Sequence, residues 1–220
     1  MNISKPVHPK SKARREIEFG ASPLTIEDIL FVAEGNAPVR LNQSPAFQDQ
    51  IRAGTEFLDL LLEEDGIIYG VTTGYGDSCT VPVPRHLVEE LSLNLSRFHG
   101  CGMGATLSHA TSRAVMAVRL VSLCRGYSGV RLELLQRLVE LLNHDVVPII
   151  PEEGSVGASG DLTPLSYLVA LLAGERDASH RGATTTAVEV HKLLGLTPLS
   201  LRPKEGIAVM NGTGVMTAIA

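Results

Sequence analysis

The stretch Gly154-Ser155-Val156-Gly157-Ala158-Ser159-Gly160-Asp161-Leu162-Thr163-Pro164 constrains this chain more than any other. Its glycines cannot hold a regular helix or strand, because each leaves the backbone too much freedom to lose. The next ten residues are opposite in character. Leu165-Ser166-Tyr167-Leu168-Val169-Ala170-Leu171-Leu172-Ala173-Gly174 is a mostly apolar run that predicts a buried helix closed near Gly174. Thr163 suits its N-cap and Pro164 its first helical position. The small residues Ala158-Ser159-Gly160 therefore stand just ahead of a helix N-terminus, where free N–H groups and the dipole favour negative charge. Many Gly/Ser loops that feed a helix do nothing more than that, so the run leaves both a structural and a chemical reading open.

Around this stretch the chain alternates amphipathic helices with glycine and proline punctuation. Leu24–Ala33 reads as a short helix, with Thr25 as cap, Asp28 in its acidic first turn, and Gly35 and Asn36 as its stop. Ser44–Glu63 predicts a second helix with Ile51, Phe57, Leu58, Leu61 and Leu62 as its apolar stripe. Pro84–His99 predicts a third, with Leu87, Val88, Leu91 and Leu95 on one face. Ser108–Arg125, Leu132–Asn143 and Thr186–Leu194 are further helices, the second leucine-rich on more than one face. Val146–Pro151 is extended, Gly100, Gly102 and Gly104 mark a loop, and Glu175–Ala183 is polar. The expected fold class is mainly α: a helical bundle with a smaller N-terminal region containing short strands. The expected division is a basic tail over 1–20, an N-terminal region over 21–105, and the start of the helical bundle over 106–220.

Three more segments carry candidate chemistry. Tyr69-Gly70-Val71-Thr72-Thr73-Gly74-Tyr75-Gly76 reads as a strand, from Ile67, Ile68 and Val71, entering a glycine-rich turn. No Gly-Lys-Ser/Thr comes after it, so it is not a phosphate loop. Asn94-Leu95-Ser96-Arg97-Phe98-His99 ends a predicted helix, where a histidine is ordinarily a structural cation. Lys204-Glu205-Gly206-Ile207-Ala208-Val209-Met210-Asn211-Gly212-Thr213 ends in an Asn-Gly pair, ordinarily a turn. Together with Gly157-Ala158-Ser159-Gly160-Asp161-Leu162, and in the same order, these segments resemble the motifs of the aromatic amino acid ammonia-lyases and aminomutases, histidine ammonia-lyase among them. The resemblance runs from about Leu24 to Ala220.

The resemblance implies that Ala158-Ser159-Gly160 closes into a 4-methylidene-imidazol-5-one, an electrophile made from the chain itself, with no metal and no diffusible cofactor. A glycine nitrogen reaches the carbonyl two residues back most easily because no side chain obstructs it. Asp161 is implied to assist ring closure, Leu162 to pack on the substrate, and Asn211 to lie beside ring and substrate. Tyr69 is the implied base, and Phe98 and His99 read the substrate side chain. The activity implied is elimination of ammonia from an aromatic L-amino acid. His99 keeps the position found in histidine lyases and favours L-histidine; Phe98 replaces their serine, which leaves tyrosine or phenylalanine lyases and 2,3-aminomutases as alternatives. Thr72 stands where asparagine is common. Family members assemble as homotetramers and continue through a long second half, so this chain alone is expected to be inactive. The rival of another class is a silent scaffold paralogue, against which the intact Tyr69, Ser159 and Asn211 argue.

Composition removes several other classes. A net charge of −5 and 4% aromatics, with no tryptophan, fit neither a nucleic-acid groove nor a base-stacking platform. Cys79, Cys101 and Cys124 form neither a disulfide framework nor a zinc pattern, which favours a reducing cytoplasm. No apolar run is long enough to span a membrane. The tail Met1–Arg15 carries lysine and arginine without an acid and reads as an unstructured basic segment.

Overall fold

The computed structural model describes residues 15–64, 66–157 and 160–220. The predicted tail over 1–14 and the pair Ala158-Ser159 lie outside the described residues. The described chain is mainly helical, with short strands between helices. β1 (Ile17–Phe19) pairs in parallel with β2 (Val39–Leu41), and Ile17 and Phe19 are buried. This strand falls inside the segment expected to be a tail, because its alternating apolar residues find a partner strand about twenty residues later. Between them α1 (Ile26–Ala33) begins at the predicted Thr25, whose hydroxyl and Asp28 carboxylate form a reciprocal capping box.

α2 (Pro45–Glu63) starts at the Ser44 cap. Only part of its expected stripe is core: Ile51 and Leu58 are buried, whereas Phe57 is exposed. The segment Ile67–Gly76 is not a strand. Ile67 is exposed, and threonine side chains take over the backbone's hydrogen bonds. Thr72 Oγ1 accepts from the Ile68 N–H and donates to the Gly66 carbonyl, and Thr73 Oγ1 accepts from the Gly70 N–H. The predicted third helix opens as a 3₁₀ turn at Arg85–Leu87 and becomes α3 over Val88–His99.

α4 (His109–Leu123) and α5 (Leu132–Asn143) form the centre of the core. Val115, Met116, Leu120 and Leu123 on α4, and Leu134, Leu135, Leu138 and Leu141 on α5, are fully buried. Burying each such side chain contributes roughly 1.5–3 kcal/mol. The glycine loop after α3 contributes β3 (Met103–Thr106), paired antiparallel with β5 (Pro151–Glu153). β4 (Val146–Pro148), β6 (Asp177–His180) and β7 (Ala183–Thr186) make a second antiparallel sheet, so the polar segment after Gly174 is a hairpin.

α6 spans Leu162–Leu172 and is buried from Pro164 onward. It begins earlier than predicted: Asp161, not Thr163, stands at its N-cap, and the Asp161 carbonyl accepts from the Leu165 N–H. Gly174 ends the helix at φ +76°, as a C-terminal glycine should. α7 (Ala187–Leu193) starts at a second capping box, Thr186 with Glu189. α8 (Glu205–Met210) and α9 (Gly214–Ile219) flank Asn211-Gly212-Thr213. α6 packs on α3 and α8, and α4 on α1, α5 and α9. No helix among the described residues is long and apolar enough to cross a membrane.

Candidate active site

The site is built where the glycine loop meets the turn between α8 and α9. Gly160 is buried against that turn. A Cβ at Gly160 would lie 2.7 Å from the Gly212 nitrogen and 3.3 Å from Asn211 Cα, so only glycine fits this close approach of two backbones. The Asp161 N–H donates to the Gly212 carbonyl at 2.8 Å.

Asp161 is 4% exposed and spends its carboxylate on three donors from two segments far apart in sequence. One oxygen accepts from the Ser155 hydroxyl at 2.8 Å. The other accepts from the Val215 and Met216 N–H groups at 3.0 and 3.1 Å, which are among the donors left over at the start of α9. Asp161 thus stands at the N-cap of α6 while its side chain caps α9. The Ser155 hydroxyl also accepts from the Gly157 N–H, at 3.3 Å. A carboxylate at a helix N-terminus is favoured by the dipole and by charge-assisted hydrogen bonds.

Tyr69 lies on the neighbouring loop. It is 54% exposed, and its phenolic oxygen accepts from the Gly76 N–H at 3.0 Å. Tyr75 meets the Tyr69 ring edge to face at 6.2 Å between centroids. Gly70, at φ +67°, has no room for a side chain, because the Tyr75 ring covers it and Ile207 Cδ1 of α8 is 3.3 Å from where a Cβ would sit. That contact brings the Tyr69 loop onto the helix that ends at Asn211. Burial, and secondly Tyr69, push the Tyr75 hydroxyl up to about 12, so the neutral phenol of Tyr75 is a packing group.

Phe98 and His99 close α3. Their rings meet edge to face at 5.1 Å, and Phe98 is 80% exposed. His99 Nδ1 is 3.0 Å from the Leu95 carbonyl. A carbonyl only accepts, so Nδ1 carries a proton, and in that tautomer Nε2 is the acceptor. α3 is tied to the rest of the site by Ser96, whose hydroxyl donates to the Ser166 carbonyl of α6, and by Ser92, whose hydroxyl accepts from the Gly206 N–H of α8. Leu162, half-buried, is the first residue of α6. Gly160, Asp161 and Asn211 are thus in one cluster and Tyr69 on the adjoining loop. Among the described residues no hydrogen bond joins His99 or Tyr69 to Gly160 or Asn211.

The aromatic amino acid lyase family profile matches residues 24–220. The chain belongs to the aromatic amino acid lyase family. It is 40% identical over 205 residues to a histidine ammonia-lyase of Alkaliphilus oremlandii, a match covering 93% of this chain and 40% of that protein. Among solved structures, a tyrosine aminomutase from Streptomyces globisporus superposes with a TM-score of 0.86 at 36% identity, covering 93% of this chain and 38% of that one. A histidine ammonia-lyase from Trypanosoma cruzi gives 0.83 at 32%, covering 93% and 39%. The chain therefore spans about two fifths of the length of these relatives.

Ser155, Gly76 and Arg119 each hold part of this site: Ser155 and Gly76 stand inside the quoted glycine-rich segments without a signal for their role, and Arg119 shows only as a charge inside the apolar run Ala117-Val118-Arg119-Leu120-Val121.

Proposed function

We propose that this chain forms part of an ammonia-lyase whose electrophile is made from Ala158-Ser159-Gly160, with an aromatic L-amino acid, foremost L-histidine, as substrate. The observation that carries the reading is the seat of Gly160 and Asp161: a bare glycine pressed on the Asn211–Gly212 peptide, beside a carboxylate pinned from both sides. Such pinning supports ring closure, because holding a nitrogen over a carbonyl converts chain entropy into rate. In this reading the Gly160 nitrogen bonds the Ala158 carbonyl carbon. The carbonyl oxygen leaves as water with the Gly160 and Ser159 amide protons. The Ser159 hydroxyl leaves as a second water with the Cα proton, and no electrons are gained or lost.

The methylidene so formed would bond the substrate amine and make it a leaving group, which is covalent catalysis. Tyr69 takes the β-proton. A phenol works as a base only where its oxyanion is held, and the Gly76 N–H is already one donor on that oxygen. Asn211, whose own peptide with Gly212 supports Gly160, would lie beside substrate and ring. His99 offers Nε2 to the substrate side chain, an acceptor suited to an imidazole N–H or a phenol O–H. Phe98 beside it supplies an apolar wall. Assembly as a homotetramer in the cytoplasm belongs to the same proposal.

An aminomutase would use the same ring and base and return ammonia to the β-carbon; the Streptomyces globisporus neighbour supports keeping this second reading. One experiment separates the cases. The protein is produced together with the second half that its family members carry; its intact mass is compared with the sequence, and it is incubated with L-histidine, L-tyrosine and L-phenylalanine while unsaturated acids are followed in the ultraviolet and β-amino acids by chromatography. A mass lower by two waters, with the histidine-derived unsaturated acid as main product, is expected. An unmodified mass would overturn the proposal, and β-amino acid as the main product would replace the lyase by the mutase.

A further inference from the structure

Arg119 is a cation carried by α4 into the interior. It is 7% exposed, and no carboxylate pairs with it among the described residues. Burial alone brings its guanidinium down to about 10. Leaving a charge inside without a counter-ion is costly, and replacing it with an apolar residue is often neutral or stabilising. A core position that keeps such a cation calls for a reason beyond packing.

Its hydrogen bonds supply one. Nη2 donates to the Ala208 carbonyl and, at 3.1 Å, to the Asn211 carbonyl. Nη1 donates to Ser122 Oγ at 3.1 Å. The guanidinium therefore sits on the carbonyl end of α8 and on the first peptide of the turn beyond it, the negative pole of the helix. Gly212 is cut to receive it, since a Cβ there would collide with Nη1. The same peptide seats Gly160, and the Gly212 carbonyl, one peptide further on, holds the Asp161 N–H. Arg119 and the glycine loop thus both hold the turn at Asn211–Gly212.

We propose that Arg119 is a positioning residue for ring formation: through the Asn211 carbonyl it fixes the Asn211–Gly212 peptide that seats Gly160, and so aims the Gly160 nitrogen. This rests on the reading that Ala158-Ser159-Gly160 cyclises. Arg119 touches neither the reacting atoms nor, by its contacts, the substrate. Nη2 holds both carbonyls while Nη1 of the same planar fork is held by Ser122 Oγ, a fixed orientation that the single rotatable ammonium of lysine does not reproduce.

The test is Arg119→Lys in the full chain, read by the fraction of protein whose intact mass is lower by two waters, at equal times after synthesis. A misplacement of about 1 Å costs roughly 100-fold in rate, so a folded Arg119→Lys protein is expected to cyclise about 100-fold more slowly. Arg137→Lys is the comparison. Arg137 is likewise buried and likewise donates to a backbone carbonyl, that of Thr197 at 2.6 Å, but among the described residues makes no hydrogen bond to the turn. It is expected to lower the melting temperature and leave the ring intact. Gly212→Ala presses on the same guanidinium from the turn side, and is expected to slow cyclisation even if Arg119→Lys does not fold. Normal cyclisation in folded Arg119→Lys or Gly212→Ala, or equal loss in Arg137→Lys, would overturn the role of Arg119. An unmodified wild-type mass would instead overturn the cyclisation reading, and this proposal with it.

Discussion

Asp161→Ala is the substitution whose consequence the structure specifies most fully. The carboxylate accepts from Ser155 Oγ, Val215 N and Met216 N while only 4% exposed. Truncation leaves the Val215 N–H buried with no partner, which costs about 1–3 kcal/mol. Met216 is exposed, so water replaces the carboxylate there and the loss is the smaller net worth of a hydrogen bond, about 0.5–1.5 kcal/mol. Ser155 is also exposed and re-solvates at little cost. The sum is roughly 2–4 kcal/mol. For a chain of this size each kcal/mol moves the melting temperature by about 2–4 °C, so a fall of roughly 5–15 °C is expected. Asp161→Asn keeps one acceptor on the α9 N–H groups and lets the amide face the Ser155 hydroxyl, which can turn to accept. It forfeits the charge assistance only, about 1 kcal/mol. Circular dichroism melts of the three proteins measure both numbers. An Asp161→Ala protein that melts within a degree of wild type, or one no less stable than Asp161→Asn, would refute the reasoning that this carboxylate holds α9 to the glycine loop.

Tyr69→Phe removes one exposed oxygen and its hydrogen bond from Gly76, so the melting temperature should hardly change while turnover drops by orders of magnitude; retained turnover would remove Tyr69 from the mechanism. Gly160→Ala drives a Cβ to 2.7 Å from the Gly212 nitrogen, and is expected to cost about 1–3 kcal/mol in denaturant melts and to abolish the two-water mass loss. His191 is fully buried, with both ring nitrogens lacking a hydrogen-bond partner among the described residues, and burial, then the nearby Arg137 charge, lower its pKa. The unfolded chain therefore takes up this proton first: stability is fully present above about pH 6.5 and falls as pH drops towards the lower folded value. His191→Met should flatten that slope between neutral pH and about pH 5, and an unchanged slope would assign it to other groups. His99→Leu removes the Nε2 acceptor and should shift turnover from histidine or tyrosine towards phenylalanine; an unchanged preference would take His99 out of substrate reading.

What the sequence determined by itself is local chemistry. Thr25 with Asp28, Ser44, and Thr186 with Glu189 begin helices because a side-chain oxygen beside a free N–H needs no distant partner. The leucines of α5 announce burial on two sides because periodicity needs only neighbouring residues. The motif order from Tyr69 to Asn211 likewise gave the family, and with it the candidate residues. Tertiary structure decided whatever depends on which segments meet. The Ile67–Gly76 run is apolar enough for a strand, yet Thr72 and Thr73 satisfied its backbone and left it a loop. Asp161 displaced Thr163 from the α6 cap because its side chain was claimed by α9, 54 residues away. Arg119 reaches the Asn211 carbonyl across 92 residues. No local pattern encodes such a contact, because its geometry exists only once α4, α8 and the glycine loop have packed.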